Sequence, residues 1–181
     1  MAEQWIRSGV IETATGTPFD LFDPNPDDVH LQDIATGLAH TCRFGGHCRP
    51  FYSVAQHSIL VSREFSDSRL QLLGLLHDGA EAYIGDIPRP LKTEVDLFDA
   101  VEQRILDAIW SALAVDPPTE EEWTRVMNAD DRLLAYEAAH LLEDGSWADP
   151  APSLEYDLKS ASTPVVREQF LERAESLLEQ V

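Results

Sequence analysis

The stretch LLGLLHDGAEAYIGDIPRPLK, Leu72 to Lys92, decides how this chain folds. It opens with four leucines in five residues, a run with the character of a buried helix. His77 and Asp78 then interrupt the leucines side by side, and Glu81 follows three residues on. On a helix, neighbouring side chains diverge by about 100°, yet both can reach one point at the seam between helices. Glu81 is i+4 from His77 and i+3 from Asp78, so it overhangs the same face. Gly85, Pro88 and Pro90 end the run. The pattern predicts a helix from Ser68, as its cap, to about Ile84.

Helical signals continue on both sides. HLQDIATGLAHTCRF places Leu31, Ile34, Ala35, Leu38 and Cys42 at spacings of three and four, with Gly45-Gly46 as the stop. A second helix is predicted from near Ser53 through VAQHSILVSREF. VDLFDAVEQRILDAIWSALA makes a fourth, ending before Pro117-Pro118. Its apolar residues Leu97, Phe98, Val101, Ile105, Ile109 and Trp110 serve either the core or a subunit contact. A fifth follows Thr119, whose side chain can close a capping box with Glu122. Residues 145–164 form a loop rich in Pro, Ser and Asp, and Pro164 opens a last helix. The first thirty residues differ, with Gly9, Gly16, Pro18, Pro24 and Pro26. Apolar stretches around Trp5–Ile11 and Phe19–Phe22, separated by a Thr/Gly turn, predict a small hairpin. The fold class expected is all-α: one helical domain over 1–181, with residues 1–30 as a hairpin and loop before a helical core at 31–181.

Composition narrows the function. The 181 residues hold 13 Lys+Arg against 33 Asp+Glu, a net charge of −20. Such a surface repels nucleic acid polymers and anionic lipid. No apolar run approaches the ~18 residues of a membrane span, and MAEQWIRSG lacks a signal-peptide pattern. A cytoplasmic protein is expected. Two of the basic residues are lysines, Lys92 and Lys159, and much acid with little lysine also fits work in high salt. Cys42 and Cys48 are expected to be reduced. The nearby set His40, Cys42, His47, Cys48 lacks the usual spacing of a zinc site.

A buried aspartate beside a histidine needs a partner. A divalent metal accepts imidazole nitrogen and carboxylate oxygen together; a surface pair at a helix end is the plainer alternative. His57 lies in SVAQHSIL among apolar neighbours, and NADDRLLAYEAAHL carries Asp130 and Asp131 before a leucine-rich run. Singly, these are an ordinary core histidine and a solvated acidic pair. Together they run His, then His-Asp, then Asp, each on its own apolar helix. That order resembles the HD-domain metal-dependent phosphohydrolases. CRFGGHCRPFYSVAQHSILVSR, LLHDGAEAYIGDIPRPLK and ADDRLLAYE are similar to the branch with bacterial 5′-deoxynucleotidases and phage dATP triphosphohydrolases. TGTPFDLFDPNPDDVHLQDIA is similar to the N-terminal segment of bacterial and prophage members. The resemblance covers about residues 13 to 140.

The resemblance implies one divalent ion, among Co2+, Mn2+, Zn2+, Mg2+ and Fe2+, on His57, His77, Asp78 and an aspartate from 130–131. Asp130 with Glu137 fits the phage-like form and Asp131 with Tyr136 the deoxynucleotidase form. Asp130 is preferred, because seven residues return to the same helix face. Glu81 would orient water or shuttle a proton, and Asp86 would lie at the substrate. Arg43 matches the phosphate-meeting arginine of an Arg-Trp pair, with Phe44 in place of tryptophan. His47 and Lys92 are further candidates for phosphate contact. The expected reaction removes phosphate from 2′-deoxynucleoside 5′-phosphates. The alternatives are triphosphohydrolase action on dATP-type substrates and a non-catalytic nucleotide-sensing module. Cyclic-nucleotide phosphodiesterase action would need further histidines for a second metal. Relatives of this type imply a homo-oligomer, a dimer or larger.

Overall fold

A computed structural model describes residues 9–148 and 150–181. Strands β1 (Val10–Glu12) and β2 (Pro18–Asp20) pair antiparallel, with Val10 opposite Asp20, Ile11 opposite Phe19 and Glu12 opposite Pro18. The first half of the hairpin expected at Trp5–Ile11 falls partly at Trp5–Ser8, outside the described residues. Phe19 is fully buried and stacks on Tyr83 at 4.0 Å, which ties the hairpin to the helices.

Helix α1 (Leu31–His40) buries Ile34, Ala35, Leu38 and Ala39. It ends four residues before the expected Phe44. Thr41 turns the chain extended, and Cys42 makes a β-bridge with Ser53. Arg43 N–H donates to the Tyr52 carbonyl at 2.9 Å, and Val54 N–H to Thr41 at 3.0 Å. This non-local pairing outweighs the local helical pattern. The next turn, Arg43–Gly46, holds Phe44 and Gly45 at φ 56° and 59°, so the chain reverses where Gly45-Gly46 was read as a plain stop.

Helix α2 (Val54–Arg63) starts in a full capping box between Ser53 and Gln56. Helix α3 (Ser68–Leu76) is capped by Asp67, which accepts from Leu70 N–H at 3.0 Å; Ser68, expected as the cap, is the first helical residue. Leu70, Leu72, Leu73, Leu75 and Leu76 are all buried, so α3 is apolar on every side from Leu72 onward and that part runs through the core. The predicted continuation to Ile84 is interrupted. His77–Ala80 form a tight turn, with Gly79 N–H donating to Leu76 at 2.8 Å and Glu81 N–H to Asp78 at 2.9 Å. Gly79 permits this, since a Cβ there would lie 2.9 Å from the Leu76 carbonyl oxygen. Helix α4 (Glu81–Ile84) follows, then α5 (Arg89–Lys92).

Helix α6 (Asp96–Ala112) buries Val101, Ile105, Ile109 and Trp110 and leaves Leu97 exposed. Helix α7 (Glu120–Leu141) begins in the predicted Thr119–Glu122 capping box. A short 3-10 turn, Ser146–Ala148, precedes α8 (Thr163–Leu178), which has Pro164 in its first turn. Helices α2, α7 and α8 pack on α3, and α1 packs on α2, α4 and α8. The fold is all-α with a short N-terminal β-hairpin. Among the described residues, no helix is long and apolar enough to cross a membrane.

A candidate metal centre and its cavity

The end of α3 delivers His77 and Asp78 to a point that α2 and α7 also reach. His57, from α2, is fully buried, and Asp130, from α7, is nearly so. Asp78 Oδ2 lies 3.2 Å from His77 Nε2 and 3.8 Å from His57 Nε2. Asp130 Oδ1 lies 3.0 Å from His57 Nε2 and 3.9 Å from His77 Nε2. Neighbouring donors around an ion with bonds of about 2.1 Å sit roughly 3.0–3.4 Å apart; Asp78 meets that spacing with His77, and Asp130 meets it with His57. His57, His77 and Asp78 offer ligand atoms within 4.8 Å of one another, a group that could hold a metal ion. The His40–Cys48 set makes no such group among the described residues, and both cysteines are free.

The hydrogen bonding points the same way. His77 Nδ1 is 2.9 Å from the Gly74 carbonyl, which can only accept, so that nitrogen carries the proton. His57 Nδ1 is 2.9 Å from Glu137 Oε1. Both rings thereby aim Nε2 at the shared point, and both Nε2 atoms and Asp78 Oδ2 are buried without a hydrogen-bond partner. The carboxylate oxygens stand near the nitrogens but off the axis a hydrogen bond requires. Two imidazole nitrogens left open in this way, each ring oriented by a further carboxylate or carbonyl, fit a divalent cation.

Electrostatics supports the same fit. Burial and Arg43 push the His57 pKa down, but Glu137 and Asp130 outweigh them and raise it to about 9. The carboxylates that stabilise that proton would equally stabilise a cation in its place. Burial also opposes ionisation of Asp78, yet His77, His57 and Arg43 hold its carboxyl well below the usual range. Asp130 sits at about 2, as His57 and His77 overcome its burial. Glu81 goes the other way. Burial, then Asp78 and Asp86, push its carboxyl well above the usual range against Lys92 and Arg43, and its Oε2 is buried and unpartnered.

A cavity of about 870 Å³ opens on this cluster, within the range of small-molecule sites. His77, Asp78, Glu81, Asp86 and Asp130 line it, as do Arg43, Phe44, His47 and Lys92; His57 lies behind them. Asp131 instead points outward, with its side chain 58% exposed. Arg43 is not free in the cavity: it is 6% exposed and donates to Glu137 Oε2 from Nε and Nη2 at 3.3 and 3.0 Å. The far wall is apolar, with Trp123, Met127, Leu134 and Trp147. The sequence motifs did not single out Arg89, Trp123 or Trp147 for this site. Arg89 carried a usable signal, as a rare basic residue set between two prolines beside Lys92. Trp123 and Trp147 carried none, because their approach depends on how α7 and the 146–148 turn fold back.

Fold and site together define a helical protein with a His57, His77 and Asp78 group that could hold a metal ion, beside Asp130 and next to a large cavity. No family model matches the chain. It is 40% identical over 138 residues to the uncharacterized protein YfdR of Escherichia coli K12, covering 76% of this chain and 75% of that one. It is 31% identical over 182 aligned residues to the uncharacterized protein RCAP_rcc00048 of Rhodobacter capsulatus, covering 91% and 93%. The chain belongs to the family of YfdR.

Proposed function

We propose that this chain is a metal-dependent phosphohydrolase of the HD-domain type that removes phosphate from 2′-deoxynucleoside 5′-monophosphates. The observation that carries the reading is the convergence of His57, His77, Asp78 and Asp130, with two orphaned imidazole nitrogens, beside a buried and unpartnered Glu81 oxygen. A divalent ion bound there would lower the pKa of a water and polarise a phosphoryl oxygen.

The remaining work falls to the chain's own side chains. Glu137 and the Gly74 carbonyl hold the two rings so that Nε2 faces the centre. Glu81, buried beside the centre with its carboxyl raised above the usual range, is placed to accept and return a proton at Oε2. Lys92 Nζ, 3.5 Å from Glu81 Oε1 and 2.9 Å from Glu102, fixes that carboxyl in place. The apolar lining of Trp123 and Trp147 suits a flat base.

Charge favours a monophosphate. Arg43, Arg89 and Lys92 face six carboxyl groups across the lining. One divalent ion offsets that balance without leaving positive charge in reserve, so further phosphates gain little from the cavity's field. Incubation with dAMP, dATP and ATP plus manganese or cobalt, with products separated by chromatography, tests the reading. Deoxyadenosine and phosphate from dAMP, with dATP and ATP intact, is the expected profile. Triphosphate release from dATP would move the substrate to the alternative class. No phosphate, pyrophosphate or triphosphate from any substrate would remove the enzyme.

A further inference from the structure

Three cations line the cavity among the described residues, and their freedom differs. Arg43 is locked onto Glu137, and its Nη1 is 3.7 Å from Asp78. Releasing it would leave Glu137, which is fully buried, with His57 as its one remaining partner. Lys92 is held between Glu81 and Glu102, with its side chain 18% exposed. Arg89 is different. Its Nη2 donates to Asp130 Oδ2 and its Nη1 to Asp131 Oδ1, each at 2.6 Å, while its side chain stays 52% exposed.

A guanidinium has five N–H groups, and those two contacts leave others open to the cavity. The backbone beneath is stiff, because Pro88 and Pro90 flank Arg89 and each fixes its own φ. The grip on Asp130 is also directional. With Oδ2 held, Oδ1 is the oxygen left facing His57 Nε2 at 3.0 Å. Asp131, exposed and outside the centre, serves as the anchor for the other half of the fork.

Building on the phosphohydrolase reading, we propose that Arg89 is the residue that meets the substrate's phosphoryl group, and that it also positions Asp130 to hold the metal. The phosphate contact that the resemblance implies for Arg43 passes to Arg89, because Arg43 is sealed and Arg89 is open. Arginine suits both tasks at once, since its planar fork can hold one carboxylate oxygen and still present parallel N–H groups to a phosphoryl oxygen.

The test uses the full chain loaded with manganese, as wild type, Arg89→Ala and Arg89→Lys. Equilibrium dialysis reads manganese affinity, calorimetry reads inorganic phosphate binding, and dAMP turnover is followed alongside. Arg89→Ala is expected to weaken manganese binding by about 10–100-fold, as for other residues that orient a metal ligand. It is also expected to weaken phosphate binding at least tenfold, with a thermal midpoint near wild type. Should Arg89→Ala fail to fold, Arg89→Lys keeps the charge but not the fork, and is expected to bind phosphate several-fold more weakly. Wild-type phosphate affinity in the variant that folds, with dAMP turnover intact, overturns the role of Arg89 alone. A wild-type chain that binds no manganese and releases no phosphate overturns the phosphohydrolase reading beneath it.

Discussion

Glu137 shows how much one buried carboxylate can organise. It is fully buried, its Oε1 faces His57 Nδ1 at 2.9 Å, and its Oε2 accepts from Arg43. Burial opposes its charge, but His57 and Arg43 hold its carboxyl below the usual range. Glu137→Gln keeps the shape and removes the charge. Arg43 is then left buried with Asp78 at 3.7 Å as its nearest anion. The expected loss is about 3 kcal/mol of stability, the low end for a broken buried pair because Asp78 remains. Manganese affinity is expected to fall roughly 10–100-fold as His57 loses its orienting carboxylate. Urea unfolding and equilibrium dialysis on the same sample check both; wild-type manganese affinity would show that His57 needs no carboxylate behind it. At this scale the sequence was informative. The spacing of Asp130 and Glu137 put both on one face of α7, and there they meet the same histidine ring, Asp130 near Nε2 and Glu137 at Nδ1.

Short helix α4 carries Glu81, and its seat depends on α1. Gly37 is where the two touch: a Cβ there would lie 2.4 Å from the Ala82 carbonyl oxygen. Gly37→Ala must push α4 away from α1, at a cost of about 1–3 kcal/mol for an overpacked contact. Glu81 is expected to move with α4, so turnover of dAMP should fall while manganese binding, which rests on α2, α3 and α7, is kept. Equal loss of both, or of neither, would show that α4 and the metal centre are not separable in this way. Local signals located most of the helices, because their caps and apolar stripes lie within a few residues of one another. The Thr119–Glu122 box and Pro164 are examples. They failed where distant contacts decide. Cys42 leaves α1 to pair with Ser53, and the His77–Ala80 turn tightens the chain between α3 and α4. Glu81 therefore reaches the cavity across a turn, not along one helix face.

Across the whole molecule, 13 basic residues face 33 acidic ones, for a net charge of −20. The interior clusters use their cations well. Arg43, Arg89 and Lys92 each bridge two carboxylates around the cavity. That leaves the remaining surface short of positive charge, and Lys159 is paired with its near neighbour Asp157. Unpaired like charges repel in the folded chain and relax when it unfolds, so the native state carries an electrostatic strain. Salt shortens the reach of that repulsion from about 10 Å at 0.1 M to about 3 Å at 1 M. The thermal midpoint is therefore expected to rise with potassium chloride by on the order of 5 °C, a shift corresponding to about 2 kcal/mol for a chain of this length. The form of the rise is diagnostic. Screening saturates once the Debye length falls below the spacing of surface charges, whereas strengthened apolar burial keeps growing with salt. A midpoint that climbs steeply at low salt and then flattens identifies surface repulsion as the cause. A midpoint that does not move would mean the surface acids are far enough apart to be screened by water alone, and would remove the high-salt explanation for the composition.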